Sequence, residues 1–228
     1  MLSTGDYQAI GLTLKLASLT TLILMLVGPP LAWWLARSQA KIRPLIESLV
    51  ALPLILPPTV LGFYLLIAFS PEYFLGEWWL TFNDSSLAFS FTGLVIASVI
   101  YSLPFVVQPL QSAFINLDKS YLEVALTMGY GKYERLYKII FPMLLPSFII
   151  ASALGFAHTI GEFGVVLMIG GNIPGETQVL SILLFDHVES LQYGAAHQLS
   201  FILLTFSISL LVIIYGFLQK RQQRVLNA

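Results

Sequence analysis

The chain has no cysteine in 228 residues. Disulfide staples, thiol nucleophiles and cysteine-ligated metals are therefore excluded. Charge is also scarce: only 10% of residues are Asp, Glu, Lys or Arg, where a soluble domain carries about 25%. The formal net charge of −1 leaves no basic excess for nucleic acid, which is excluded as a partner. No glycine-rich loop ending in Lys-Ser/Thr occurs, so the chain carries no ATPase site of that kind. There is no solenoid-type repeat and no low-complexity tract. His187 and His197 have no partner spacing for zinc, and no metal site is expected. What is abundant is apolar: 57% of the residues are hydrophobic. This is the composition of an all-α integral membrane protein, with 1–228 forming one transmembrane domain and the lipid bilayer as its surroundings.

Five apolar runs, about 12–36, 45–69, 93–114, 142–164 and 199–218, are long enough for a hydrocarbon core that takes about 20 helical residues to cross. The first is longer than a signal-peptide core, and its positive cluster, Arg37, Lys41 and Arg43, follows it. It reads as a retained anchor.

Charge orients these runs, because short cytoplasmic loops collect Lys and Arg. Ten of the eleven basic residues lie after runs one, three and five, and only Lys15 lies elsewhere. The loops 70–92 and 170–198 hold no Lys or Arg but contain Glu72, Glu77, Asp84, Glu176, Asp186 and Glu189. The predicted topology is N-terminus out and C-terminus in. Trp33 and Trp34 beside Arg37 fit the inner aromatic belt.

That topology puts the polar stretch 118–141 in the cytoplasm. It carries seven charged residues between two apolar runs, yet Tyr121, Val124, Ala125 and Met128 fall at helical spacing. Ser120-x-x-Glu123 reads as a capping box, Gly129 as a left-handed C-cap, 132–140 as a second short helix, and Pro142 as the first turn of the next span. A capped amphipathic insertion of this kind reads as a docking surface.

Two stretches within the apolar runs are unusual. Pro57 and Pro58, with Thr59 after them, sit mid-run, and each proline lacks a backbone donor. Unpaired backbone at that depth is tolerated where it is buried or lines a wet cavity. The second run therefore reads as a bent helix on a translocation path, the alternative being a structural kink. The second stretch, Gly161-Glu162-Phe163-Gly164, places a carboxyl between glycines near the outer end of run four. Intramembrane carboxyls are functional or paired as a rule, and this one reads as a gate, the alternative being an interfacial Glu reaching headgroup water. His158, one turn earlier, is either a packing element or part of the path. Residues 177–192 are too short and acidic to span and read as a surface or re-entrant helix.

Glu123-x-Ala125, Gly129 and Ile139-x-x-Pro142 have the spacing of the EAA loop of binding-protein-dependent ABC importer permeases, with Val124 and Phe141 as apolar departures. The chain resembles that family, and the stretches 52–64 and 161–178 are similar to molybdate importer permeases, the second also to sulfate/thiosulfate permeases. The resemblance implies a coupling loop seated on a cytoplasmic ATPase, with Glu123, Ala125, Gly129 and Pro142 as coupling residues. It also implies a homodimer, two ATP-binding subunits that hold the ATP, a periplasmic oxyanion-binding protein, and the bacterial cytoplasmic (inner) membrane. No cofactor is expected in this chain. Runs two to five would form the core, with run one wrapping a neighbouring subunit. An ion-coupled secondary transporter is the rival from another class; it would need mid-membrane carboxyls, of which Glu162 is the one candidate, and inverted repeats. A membrane enzyme built on Glu162 and His158 is the other.

Overall fold

The structure, a computed structural model, describes residues 2–226, with side chains described at all of these except Lys119, Leu122, Lys132 and residues 218–226. The side chains of Lys119, Lys132, Lys220, Arg221 and Arg224, which entered the charge argument, thus lie outside the described ones. Every regular element among the described residues is helical. In chain order they are α1 (Thr4–Arg37), α2 (Arg43–Ile55), α3 (Pro58–Phe69), α4 (Phe74–Asn83), α5 (Phe91–Ile115), α6 (Lys119–Thr127), α7 (Lys132–Arg135), a π-turn (Leu136–Ile140), α8 (Phe141–Gly161), α9 (Gly164–Gly170), α10 (Leu180–Glu189) and α11 (Tyr193–Leu226).

Four helical stretches among the described residues, Thr4–Arg37, Phe91–Ile115, Tyr133–Gly161 and Tyr193–Phe217, are long and apolar enough to cross a membrane, and α2 with α3 makes a fifth span if the bent pair is one. The expected bent helix over 45–69 is a full break, because α2 and α3 meet at 116°. The cause is local. Leu56 and Pro57 each precede a proline, which disfavours helical backbone, and both are extended, with ψ of 138° and 136°. The Pro29–Pro30 pair, by contrast, stays inside α1. There the helix is clamped on two sides by α5 and α8, whereas few α2 residues are buried.

The clamp is the centre of the fold. Leu24 and Leu35 of α1, Val106 and Leu110 of α5, and Ala151 of α8 are fully buried in one cluster. Small residues set its closeness. A Cβ on Gly28 of α1 or on Gly155 of α8 would stand 2.8 Å from a methyl of Val106, so this valine fills the notch between both glycines. The first span is therefore core within its own chain, which corrects the expectation that runs two to five alone form the core. The least packed span is α11, of which only 6% of the apolar window is buried.

Helix ends are met by side chains. At the start of α1 the Ser3 hydroxyl accepts from the Asp6 N–H at 3.2 Å and the Asp6 carboxylate accepts from the Ser3 N–H at 2.6 Å. Asp6 also faces His187 of α10, 3.3 Å away. The Leu180 N–H, an orphan donor in the first turn of α10, donates to Thr13 Oγ1 of α1 at 2.8 Å. The segment 177–192 thus holds a ten-residue helix tied to α1, in line with a short non-spanning helix.

Overpacking a filled core costs about 1–3 kcal/mol, so Gly155→Ala is expected to lower the thermal unfolding midpoint of the detergent-solubilised protein. Val106→Ala in the same chain should restore most of the loss. Two additive losses would show that the notch does not hold the three helices together.

Candidate functional site

Two regions carry the polar chemistry. The first is where the helix breaks meet. Residues 162–163 separate α8 from α9, and Leu56–Pro57 separates α2 from α3. The start of α9 packs against the start of α3: a Cβ on Gly164 would stand 2.7 Å from Pro58 Cβ, and one on Gly62 would stand 2.8 Å from Met168 Cβ. Pro57, Pro58 and Thr59 are exposed, as is Gly161. Glu162 is buried at 5% exposure, so it does not reach headgroup water in the way an interfacial Glu would.

Freed carbonyls at this break and at the far end of α9 find donors. The Ser181 hydroxyl of α10 donates to the Glu162 carbonyl at 2.5 Å. Thr177 Oγ1 donates to the Gly170 carbonyl at 2.6 Å, and the Phe89 N–H to the Ile169 carbonyl at 2.8 Å. The Glu162 side chain is treated differently: neither carboxyl oxygen has a hydrogen-bond partner among the described residues. Ser98 of α5 lies close enough to interact with it, yet its hydroxyl meets no hydrogen-bond geometry.

A cavity of about 280 Å³ opens at the break, lined by Pro58, Tyr101, His158, Gly161, Glu162 and Gly164 among others. The structure thus brings together Pro58, Gly161, Glu162, Phe163 and Gly164 from the predicted path, and leaves Pro57 and Thr59 just outside the lining. His158 belongs to this wall. Its ring stacks on Phe105 at 3.8 Å and lies 4.8 Å from Tyr101, and Nδ1 is 2.9 Å from Ser102 Oγ. Sequence reasoning missed Ser98, Tyr101 and Ser181. Their only signal was polarity inside apolar or loop sequence, which does not say which break they face. A larger cavity of about 600 Å³ lies among Pro29, Trp33, Phe114, Tyr137 and Phe141; its lining is chiefly apolar, and the converging polar groups are at the break.

The second region is the loop 118–141. Its first helix is capped differently from expectation. Asp118, not Ser120, is the N-cap, and its carboxylate accepts from the Ser120 N–H at 2.9 Å. That backbone hydrogen bond holds the Asp118 carboxyl below its ordinary range. Ser120 lies inside the helix and Glu123 is left exposed, so the predicted Ser120–Glu123 capping box is absent. The C-terminal end is as expected. Gly129 has φ +78°, the Tyr130 N–H donates to the Ala125 carbonyl, and the Gly129 N–H to the Leu126 carbonyl, both at 3.0 Å. This paired pattern closes a helix through a left-handed glycine.

The second short helix is stapled by Glu134, which accepts from the Gly131 N–H at 3.1 Å and pairs with Lys138 at 2.9 Å. It runs through the π-turn into α8, the Phe141 N–H donating to the Leu136 carbonyl. A turn of this width suits the approach to Pro142, which has no N–H to give. Within the motif Ala125 is buried at 1%, while Glu123, Gly129 and Pro142 are exposed. Val124, Leu126, Met128, Tyr133 and Tyr137 are exposed as well, Tyr133 at 85%.

Residues 28–227 match the family of the binding-protein-dependent transport system inner membrane component. The chain belongs to that family and is a multi-pass inner-membrane protein. Over 215 residues it is 51% identical to the molybdenum transport system permease protein ModB of Azotobacter vinelandii, covering 94% of this chain and 95% of that one. It is 35% identical over 184 residues to the sulfate transport system permease protein CysT of Escherichia coli K12, covering 81% of this chain and 66% of that one. In fold it is similar to a bacterial alginate ABC transporter solved in complex with an alginate pentasaccharide-bound periplasmic protein, with a TM-score of 0.73 at 17% identity, over 94% of this chain and 77% of that one.

Gly164→Ala is expected to cost about 1–3 kcal/mol by driving a Cβ into Pro58. Gly161→Ala, where nothing stands within 4 Å of the added Cβ, should be neutral. The check is the unfolding midpoint of both variants in detergent; equal losses would mean that contact with α3 is not what requires glycine at 164.

Proposed function

We propose that the chain is the transmembrane permease subunit of an ATP-driven importer for molybdate, with tungstate as a close substitute, delivered by a periplasmic binding protein. The observation that carries the substrate is the 51% identity over nearly the full length of both chains to a molybdenum permease, against 35% over a smaller share for a sulfate permease. Sulfate or thiosulfate is the second reading within the class. A partner of the periplasmic kind is supported by the similar alginate transporter, solved with its periplasmic protein.

In this reading the chain works as one transmembrane unit, N-terminus out and C-terminus in, paired with a second copy. It holds no ATP itself. Two ATP-binding subunits dock on the cytoplasmic loops, where Glu123 meets a cationic group, the exposed apolar side chains around it are covered, Gly129 sets the turn, and Ala125 and Pro142 fix the loop to the bundle. The paired helix breaks, with Pro57, Pro58, Thr59, Gly161, Glu162, Phe163 and Gly164, line the path and its gate. The outer loops 70–92 and 170–198 carry acid and no Lys or Arg, which favours delivery by a docked carrier over capture of free dianion. A path that binds weakly lets the ion leave.

Labelled molybdate should enter proteoliposomes that hold this chain, its ATPase and its binding protein with ATP inside, and excess sulfate should leave uptake unchanged. ATP-dependent sulfate uptake in place of molybdate would keep the architecture and overturn the substrate; uptake that ignores ATP would overturn the importer reading. Glu123→Ala is expected to insert normally and to lower transport at least about tenfold while ATP hydrolysis continues, as loss of a charge-assisted contact predicts. Normal transport by that variant would remove Glu123 from the coupling role.

A further inference from the structure

The larger cavity, of about 600 Å³, falls within the roughly 300–1,000 Å³ of small-ligand sites. It lies where the ends of three candidate spans meet. Trp33 comes from the end of α1, Phe114 from the end of α5, and Tyr133, Arg135 and Tyr137 from the start of the stretch Tyr133–Gly161. Converging span ends put this part of the wall at the membrane boundary. Aromatic and proline side chains carry the wall inward from there. Pro29 stands about one turn before Trp33, and Phe148 about two turns beyond Phe141. The wall is closely built, with Trp33 edge-on to Phe114 at 5.1 Å and Phe141 against Phe148 at 5.2 Å.

Among the described residues Arg135 is the one charged side chain in this lining. Its Nε is buried and has no hydrogen-bond partner among them. No described carboxylate pairs with it. The adjacent acid, Glu134, is spent on the Gly131 N–H and on Lys138. A second cation stands at the same end of α1: the Arg37 guanidinium lies over the Trp33 ring, 4.8 Å from its centre. Buried donors have acceptors as a rule, so the acceptor for Arg135 comes from outside the described chain.

We propose that this cavity binds one anionic phospholipid, with its phosphate paired to the Arg135 guanidinium and an acyl chain laid along the aromatic wall. A guanidinium meets a phosphate through two parallel N–H···O bonds. Basic pockets between membrane helices bind anionic headgroups in this way. Depth selects the occupant. A soluble subunit can offer a carboxylate to Arg135, but Pro29 and Phe148 stand inside candidate spans, beyond its reach. A phospholipid has its charge at the level of Arg135 and its hydrocarbon at the level of Pro29 and Phe148. Its effect would be on the loop. The helix α7 and the π-turn connect the first loop helix to α8, and a lipid held between Tyr137 and Trp33 braces that connection against α1. Nothing in this site depends on which ion is transported.

The test uses the purified full chain in a neutral detergent, with phosphatidylglycerol as the probe and phosphatidylcholine, which has no net charge, as the comparison. Native mass spectrometry should show one phosphatidylglycerol retained per chain, bound at least about tenfold more tightly than phosphatidylcholine, as charge-assisted hydrogen bonds predict. Arg135→Gln should abolish the preference. Arg135→Lys, which keeps the charge and loses the fork, should keep part of it. Phosphatidylglycerol with brominated acyl chains should quench a larger fraction of the tryptophan emission in wild type than in Trp33→Phe, because Trp33 lines the cavity. That measurement decides the site if Arg135→Gln does not fold. Equal affinity for the two lipids would overturn the proposal, as would an undiminished preference in Arg135→Gln or equal quenching in Trp33→Phe. An Arg135→Gln variant that keeps the lipid preference but no longer retains the ATPase would assign the cavity to a carboxylate of that subunit. One that keeps the preference but falls from dimer to monomer would assign it to a second copy of this chain.

Discussion

A backbone N–H or C=O left unpaired in hydrocarbon costs several kcal/mol, and this constraint explains where the helices are allowed to stop. The chain interrupts its apolar runs at Leu56–Pro57 and at Glu162–Phe163. In the first interruption prolines remove donors, and the Pro57 carbonyl is taken up by the Val60 and Leu61 N–H groups. At the second interruption the Glu162 carbonyl is met by Ser181, and at the far end of α9 the Ile169 and Gly170 carbonyls are met by Phe89 and Thr177. Each break is then covered by the other, since Gly164 abuts Pro58. Breaks that hide one another in this way leave a small cavity between them, which is why the cavity and the breaks coincide.

The same constraint divides the chain into a rigid part and an adaptable one. Gly28, Val106 and Gly155 bring α1, α5 and α8 into close contact, and interiors packed this densely transmit strain and yield little. The pair α3–α9 sits beside that block, joined to it through α5. Around it lie α2 and α11, with few buried residues. Polar ties hold the periphery at chosen points. Glu47 of α2 accepts from Gln111 of α5 at 2.5 Å, and Thr13 of α1 caps α10. A pathway built at the edge of a stiff three-helix block has a fixed wall on one side and an adjustable one on the other.

Much of this was legible in the sequence, and the failures share a physical cause. The five apolar runs, the Gly129 cap and the short helix in 177–192 follow from composition and local spacing, which act within a few residues. Pro57–Pro58 was read as a bend and is a break, while Pro29–Pro30 inside α1 breaks nothing. The two pairs are alike locally and differ in what surrounds them, which no local pattern records. The capping box at Ser120 and Glu123 had the right letters, but Asp118 two residues earlier takes the cap. The box that does form, at Ser3 and Asp6, uses Asp in place of Glu. At the breaks, Glu162 and its glycines stood out because an ionisable residue in an apolar run is rare. Ser98 and Tyr101 did not stand out, because Ser and Tyr are unremarkable in membrane helices. The placement of α1 in the core was missed because an apolar run looks the same whether it faces lipid or protein.

That last ambiguity also decides how exposure should be read. Ile55 is 80% exposed and Ile213 68%, yet an apolar side chain on a membrane span meets lipid as readily as protein, so its exposure says nothing about a partner. The loop 118–141 is different. It carries Asp118, Glu123, Glu134, Arg135 and Lys138, and on its first helix, outside every candidate span, Val124, Leu126 and Met128 stand at 54–64% exposure. An apolar cluster beside charged groups has the composition that a docking surface needs. The loop spends a glycine-closed helix end, a Glu134–Lys138 pair and an Asp118 cap on holding those side chains in fixed positions. Rigid presentation lowers the ordering cost of binding, which is the property that the docking proposed for this loop requires.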